Sequence, residues 1–126
     1  MGDGGFIAQF IDTSTGHAIA VSNSDWRCLL IHEAPLDKAC EDESNPPAGI
    51  GPCGFRADEE PAGWKEPGYD ETGWTSAIEH SSSAVDPKDG YDAISWDSDA
   101  QLIWTGDLET HNTLLCRMTV DSPRTP

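Results

Sequence analysis

The stretch Gly63-Trp64-Lys65-Glu66-Pro67-Gly68-Tyr69-Asp70-Glu71-Thr72-Gly73-Trp74 constrains the fold more than any other part of this chain. Its two Trp and one Tyr do not share a helix face, and the Pro-Gly pair between them breaks any helix laid through them. They read instead as a packed aromatic corner, in which each ring buries an apolar body and keeps its polar group near a backbone partner. Further along, Leu102-Ile103-Trp104-Thr105-Gly106-Asp107 is an apolar strand running into a turn. Both stretches are marks of architecture and neither announces a reaction.

Turn signals recur along the whole chain, as they do in all-β domains. Residues 6–11 form a short apolar run that ends in Asp12-Thr13-Ser14-Thr15-Gly16, a turn whose side chains hydrogen-bond their own backbone. Residues 18–21 and 26–31 are further strand candidates, separated by Ser22-Asn23-Ser24-Asp25. Residues 74–79 suggest a short strand, and residues 101–105 and 113–120 two clearer ones. Two long connections interrupt this pattern, 33–63 and 81–100. Connections of that length inside a compact domain call for a cross-link or a function. No window sustains a helical period, so helix content is expected to be low. The 126 residues suit one domain spanning 1–126, and no apolar run is long enough to cross a membrane.

Seven basic residues against 23 acidic ones leave a net charge of −16, which repels phosphate backbones and anionic lipid surfaces. The charge disfavours nucleic acid as a partner. It fits a solvated surface that keeps the chain soluble, and a sharper account is a set of divalent-cation sites. Five Trp, three Phe and two Tyr supply the bulky core material that a disordered chain of this polarity lacks.

Four cysteines, Cys28, Cys40, Cys53 and Cys116, form no C-x-x-C pair and have no histidine at zinc-finger spacing. Between Cys40 and Cys53 lie three Pro and two Gly in an acidic segment that cannot pack itself, so a Cys40–Cys53 bridge is expected to tie the 33–63 loop down. Cys28 and Cys116 each sit in an apolar run and are candidates to staple two strands, with a pair of buried free thiols as the alternative. Two disulfides imply an oxidising compartment, hence a secreted or cell-surface protein. Met1-Gly2-Asp3-Gly4-Gly5 carries no apolar leader, which leaves a removed signal or a longer parent chain as routes to that compartment.

Catalytic signatures are missing. There is no G-x-S-x-G elbow, and Ser81-Ser82-Ser83 beside His80 reads as a polar loop without an orienting partner. Close Asp/Glu pairs are inevitable among 23 carboxylates and so do not argue for a glycosidase. His17, His32, His80 and His111 are scattered one to a segment, as surface or structural histidines are. No organic cofactor is implied, and calcium is the candidate ion. Asp86, Asp89 and Asp92 surround a Gly turn, with Asp97 and Asp99 close behind, although an ordinary Asp-rich turn accounts for the same residues.

The order Gly5-Phe6-Ile7-Ala8-Gln9-Phe10, Thr15-Gly16, Ser24-Asp25-Trp26-Arg27-Cys28, the Gly63–Trp74 corner, Leu102-Ile103-Trp104 and Cys116-Arg117-Met118-Thr119-Val120 resembles the galactose-binding-domain-like β-sandwich. Such jelly rolls occur as accessory modules of glycoside hydrolases and in secreted or surface proteins. The resemblance covers about residues 5–120 and implies an antiparallel β-sandwich and a non-catalytic role. Thr72 and Gly73 stand where the corner of that family usually carries a serine step. In these modules several strands precede the one corresponding to residues 6–10, so this chain is expected to lack its opening strands and to be completed by another chain, a copy of itself or an upstream portion.

Two functions follow. The first is a structural or assembly subunit whose incomplete sheet is completed by a neighbour. The second is a carbohydrate-binding module in which Tyr91, Trp96 and Asp97, on the second polar loop, take a glycan: the rings stack on sugar C–H faces and the carboxylate takes hydroxyls. Trp26, Trp74 and Trp104 lie inside strand signatures and are expected in the core.

Overall fold

The structure, a computed structural model, describes residues 4–120. It is predominantly β, with 27% strand against 10% helix, and all its strand pairs are antiparallel. The expected all-β class is therefore met. Among the described residues eight strands form in chain order: β1 (Gln9–Ile11), β2 (Ala18–Val21), β3 (Arg27–Glu33), β4 (Arg56–Ala57), β5 (Thr75–Ser76), β6 (Ile78–His80), β7 (Leu102–Trp104) and β8 (His111–Arg117).

Strand β3 organises the molecule. It pairs with β8 along one edge, and on the other with β5 at its beginning and β4 at its end. Its run Cys28-Leu29-Leu30-Ile31 lacks the alternation of a half-exposed strand because both faces of this sheet are covered. On one face, Trp26, Cys28, Ala77 and Ile103 form a buried cluster joined by Ala8, Leu114, Cys116 and Met118. On the other, Ile31, Trp74 and Leu115 pack with Leu29, Trp64 and Tyr69. The second layer across the first cluster is the β6–β7 pair, extended by a bridge from Phe6 to Ile103. Ile103, only 1% exposed, is the most deeply buried large side chain.

The rings of the aromatic corner pack together as expected, although the Trp64 indole N–H meets a side-chain carboxylate instead of the expected backbone partner. Tyr69 meets Trp74 edge-on at 5.6 Å between ring centroids, Trp64 lies 6.3 Å from Trp74, and the Arg117 guanidinium sits 5.3 Å from the centre of the Tyr69 ring. Arg117 also donates to Glu71 at 3.1 Å and to the carbonyl of Trp64, so β8 is anchored to the corner by a charged group as well as by packing. Trp26 and Trp104 donate their indole N–H groups to the carbonyls of Val21 and His111 at 3.0 and 2.9 Å, whereas Trp64 donates to the Glu60 carboxylate. Trp26 and Trp74 are buried and Trp104 half-buried.

Both disulfides have the expected connectivity. Cys28 and Cys116 face each other directly in the β3–β8 ladder, and Cys40–Cys53 closes the long loop. They indicate an oxidising environment. No helix among the described residues is long and apolar enough to cross a membrane.

Local structure departs from the sequence reading in several places. The strand expected over 113–120 runs instead over His111–Arg117, and the one expected over 6–11 forms only over Gln9–Ile11. The 33–63 connection contains two 3-10 turns, Lys38–Asp42 and Gly51–Cys53, and the two-residue strand β4. The strand expected over 74–79 splits into β5 and β6, because Ala77 sends its N–H to the Trp26 carbonyl at 2.8 Å and turns its methyl into the core. Ser81-Ser82-Ser83 is not a plain loop: Ser81 accepts from the Ala84 N–H and starts the short helix α1 (Ser82–Val85).

Candidate functional site

Two concave regions stand out, one gathering several of the expected site residues and one bordering residues 6–11. The first is an open cleft of about 500 Å³ where the turn after α1 faces residues 4–7. Gly4 and Gly5, which line it, pack too closely on their neighbours to carry side chains. A β-carbon on Gly4 would lie 2.4 Å from the Trp104 indole nitrogen, and one on Gly5 would lie 2.5 Å from a Val85 methyl. Tyr91 and Trp96 line this cleft with ring centroids 6.0 Å apart, and the Trp96 N–H donates to the Tyr91 carbonyl at 3.0 Å. Both residues are half-buried. Asp86, Lys88 and Asp89 form the polar wall.

Asp97 does not join them. Its backbone N–H is held by the Gln9 side chain at 2.7 Å and its carboxylate accepts from the Asp99 N–H at 2.9 Å. It lies instead in a separate depression with His17 and Asp99. The expected trio of Tyr91, Trp96 and Asp97 is therefore reduced to the two rings, with Asp86 and Asp89 as the neighbouring carboxylates.

Asp86, Asp89 and Asp92 do not assemble into the expected calcium site. Among the described residues no three His, Cys, Asp or Glu side chains converge to hold one metal ion. Asp86 ends α1 in the left-handed conformation, φ 54°, and pairs with the Lys88 ammonium at 3.2 Å. Asp89 lines the cleft, whereas Asp92 is not part of its wall.

The second region is a groove of about 330 Å³ lined by Phe10, Trp26, Trp64, Lys65, Cys116, Arg117, Met118 and Val120. Cys116 and Met118 belong to one face of the β3–β8 sheet, and Arg117 packs with Trp64 and Tyr69 on the other. A groove lined from both faces opens along the strand edge, here the outer edge of β8. Among the described residues β8 pairs with β3 alone and β1 with β2 alone. Phe10, at 51% exposure, and Ile11, at 41%, stand on β1 beside this groove and its neighbouring surface. The residues 6–11, read from sequence as an apolar strand wanting cover, are thus only partly covered.

A polar cluster at the β7–β8 turn was not singled out from the sequence. The Thr105 hydroxyl lies 2.6 Å from His111 Nδ1, the Glu33 carboxylate 3.8 Å from His111 Nε2, and His80 Nε2 2.7 Å from the Thr105 carbonyl. Asp107 accepts from the N–H groups of Glu109 and Thr110 at 2.9 Å each and from the Thr110 hydroxyl at 2.5 Å. Those donors, the Thr110 hydroxyl foremost, hold its carboxyl well below the ordinary range, at about 2. The order hydroxyl, imidazole, carboxylate resembles a nucleophile relay, but the Thr105 oxygen also accepts the Asp107 N–H at 3.2 Å and is used to close the turn. The signal was present in Thr105-Gly106-Asp107-Leu108-Glu109-Thr110, an Asp followed three residues later by a hydroxyl.

Compared with known proteins, the chain matches no family, no curated protein and no solved structure.

Proposed function

We propose that this chain is a non-catalytic structural module of a secreted assembly, a galactose-binding-like β-sandwich that joins neighbouring chains or further copies of itself through the free edge of β8. The groove formed by Phe10, Trp26, Trp64, Cys116 and Met118 along an unpaired strand edge carries this reading. An extended segment from a neighbour would hydrogen-bond to β8 and bury its alternate side chains on the two indoles. The paired cysteines support the extracellular setting.

Glycan binding is the second reading. It is favoured by the meeting of Tyr91 and Trp96 with Asp86 and Asp89 in one cleft, the pairing of aromatic face and carboxylate that a sugar ring uses.

Sedimentation from about 1 to about 200 μM covers the range in which a weak specific interface forms. The assembly reading expects concentration-dependent association that is lost in a Phe10→Lys/Val120→Lys variant, which places two ammonium groups in the groove at exposed positions. A chain that stays monomeric throughout, and that binds glycans on an array in a Trp96-dependent way, returns the sugar reading to first place.

A further inference from the structure

The turn after α1 contains a peptide step that is open to rearrangement. Asp89 is followed by Gly90, and in an Asp-Gly step the glycine nitrogen can attack the aspartate side-chain carbon with no following β-carbon to shield it. Three observations leave this step unprotected. Both residues are exposed. A β-carbon on Gly90 would meet nothing within 4 Å, so the space beside it is open. Among the described residues neither the Gly90 N–H nor the Asp89 carboxylate has a partner, and the neighbouring Lys88 ammonium is taken by Asp86 at 3.2 Å.

Comparable steps elsewhere are held. Asp3-Gly4 is the same dipeptide, but the Gly4 N–H donates to the Leu108 carbonyl at 2.9 Å and its α-carbon is crowded by the Trp104 indole. Asn23-Ser24 has its serine N–H on the Glu79 carboxylate at 3.0 Å, and the Asp97 carboxylate, ahead of Ser98, accepts from the Asp99 N–H at 2.9 Å. An amide engaged in this way must break its hydrogen bond before its nitrogen can act as a nucleophile.

We infer that Asp89 and Gly90 form a site of spontaneous isomerisation, with water as the only reagent. The Gly90 nitrogen bonds to the side-chain carboxyl carbon of Asp89, and the carboxyl hydroxyl leaves as water with the amide proton, closing a succinimide ring. Water then opens the ring at one of its two carbonyl carbons. Cleavage of the bond just formed restores aspartate. Cleavage of the original peptide bond leaves the chain running through the side-chain carbon and frees the α-carboxylate, which is isoaspartate, with no oxidant consumed and no net change of mass. Asp89 lines the cleft that holds Tyr91 and Trp96, so the product adds one carbon to the backbone of that wall and draws its carboxylate in by one bond. The inference requires no ligand in the cleft and stands apart from the glycan reading.

The folded chain, incubated in heavy-oxygen water at physiological temperature and mildly acidic pH, is digested and its peptides are mapped by mass spectrometry with electron-transfer fragmentation, which reads isoaspartate residue by residue. Asp89 should isomerise at least about tenfold faster than Asp3, the factor set by one amide hydrogen bond, and its product should carry heavy oxygen from the solvent. In urea, where the fold no longer distinguishes the two Asp-Gly steps, their rates should converge. Asp89→Glu, whose side chain is too long to close the five-membered ring, should remove the product peptide and, at this exposed position, leave Tm unchanged. An absence of isoaspartate at residue 89 overturns the inference, as does equal isomerisation of Asp3 in the folded chain. A product without heavy oxygen rules out the succinimide route, and rates that stay apart in urea show that the fold does not choose the site.

Discussion

Ser22→Ala is the sharpest single test of how the layers are joined. Ser22 is fully buried, and its hydroxyl accepts the Ala8 N–H at 2.9 Å while donating to the Gln101 carbonyl at 2.6 Å. Its backbone completes the knot, with Ser22 N–H to Ala8 at 2.9 Å and Gln101 N–H to Ser22 at 2.8 Å. One oxygen atom therefore ties the approach to β1, the end of β2 and the start of β7. Alanine preserves the volume of the backbone turn but leaves a donor and an acceptor without partners, at about 1–3 kcal/mol for each fully buried group. Ala8 and Gln101 are only half-buried, so water relieves part of this, and the expected loss is about 2 kcal/mol in all. For 126 residues the unfolding entropy is roughly 0.26 kcal/mol/K, which converts that loss to a fall of about 8 °C in Tm. Calorimetry with both disulfides intact measures it, alongside faster amide exchange at Ala8. The exposed neighbour Ser24→Ala should stay within about 0.5 kcal/mol. A Ser22→Ala shift below about 2 °C, with unchanged exchange at Ala8, means the knot does not hold the layers together and refutes the reasoning.

Gly4→Ala should lower stability by about 1–3 kcal/mol, because its methyl meets the rigid Trp104 indole at 2.4 Å, and a redshift of Trp emission should accompany it. Asp107 has a folded pKa of about 2, below the ordinary 3.8, so its contribution is complete above the unfolded value and is lost as pH falls from about 4 to about 2. After discounting for solvent screening the contribution is about 1 kcal/mol; urea midpoints of wild type and Asp107→Ala should differ at pH 6 and converge near pH 2, and a gap that persists at low pH contradicts the assignment.

The parts legible in sequence are those set by local chemistry. Ala18–Val21 is bounded by turn residues on both sides, and its strand has the expected limits. Cys28 and Cys116 lie in apolar runs long enough to be paired strands, and the ladder places them opposite one another. What escaped depends on partners distant in sequence. The division of 74–79 into two strands is imposed by Trp26 drawing Ala77 inward, and β4 exists because the end of β3 offers it an edge. Tyr91 and Trp96 were visible as candidates, but their cleft is walled on its far side by Gly4, Gly5 and Ile7, which nothing near residue 91 reveals. The calcium expectation rested on carboxylate spacing, whereas Asp86 is turned by its left-handed backbone and held by Lys88.

The Cys28–Cys116 bridge has a mechanical consequence. The two residues are 88 apart in sequence and stand side by side in the β3–β8 ladder. A pull applied at residues 4 and 120 would pass from one strand to the other through the sulfurs, so only residues 4–28 and 116–120 could be drawn out. At about 3.5 Å per residue the intervening chain represents roughly 300 Å of slack that tension cannot release while the bridge is intact. As a link between neighbours, the domain would behave as a short, stiff tether of fixed reach, lengthening sharply only on reduction.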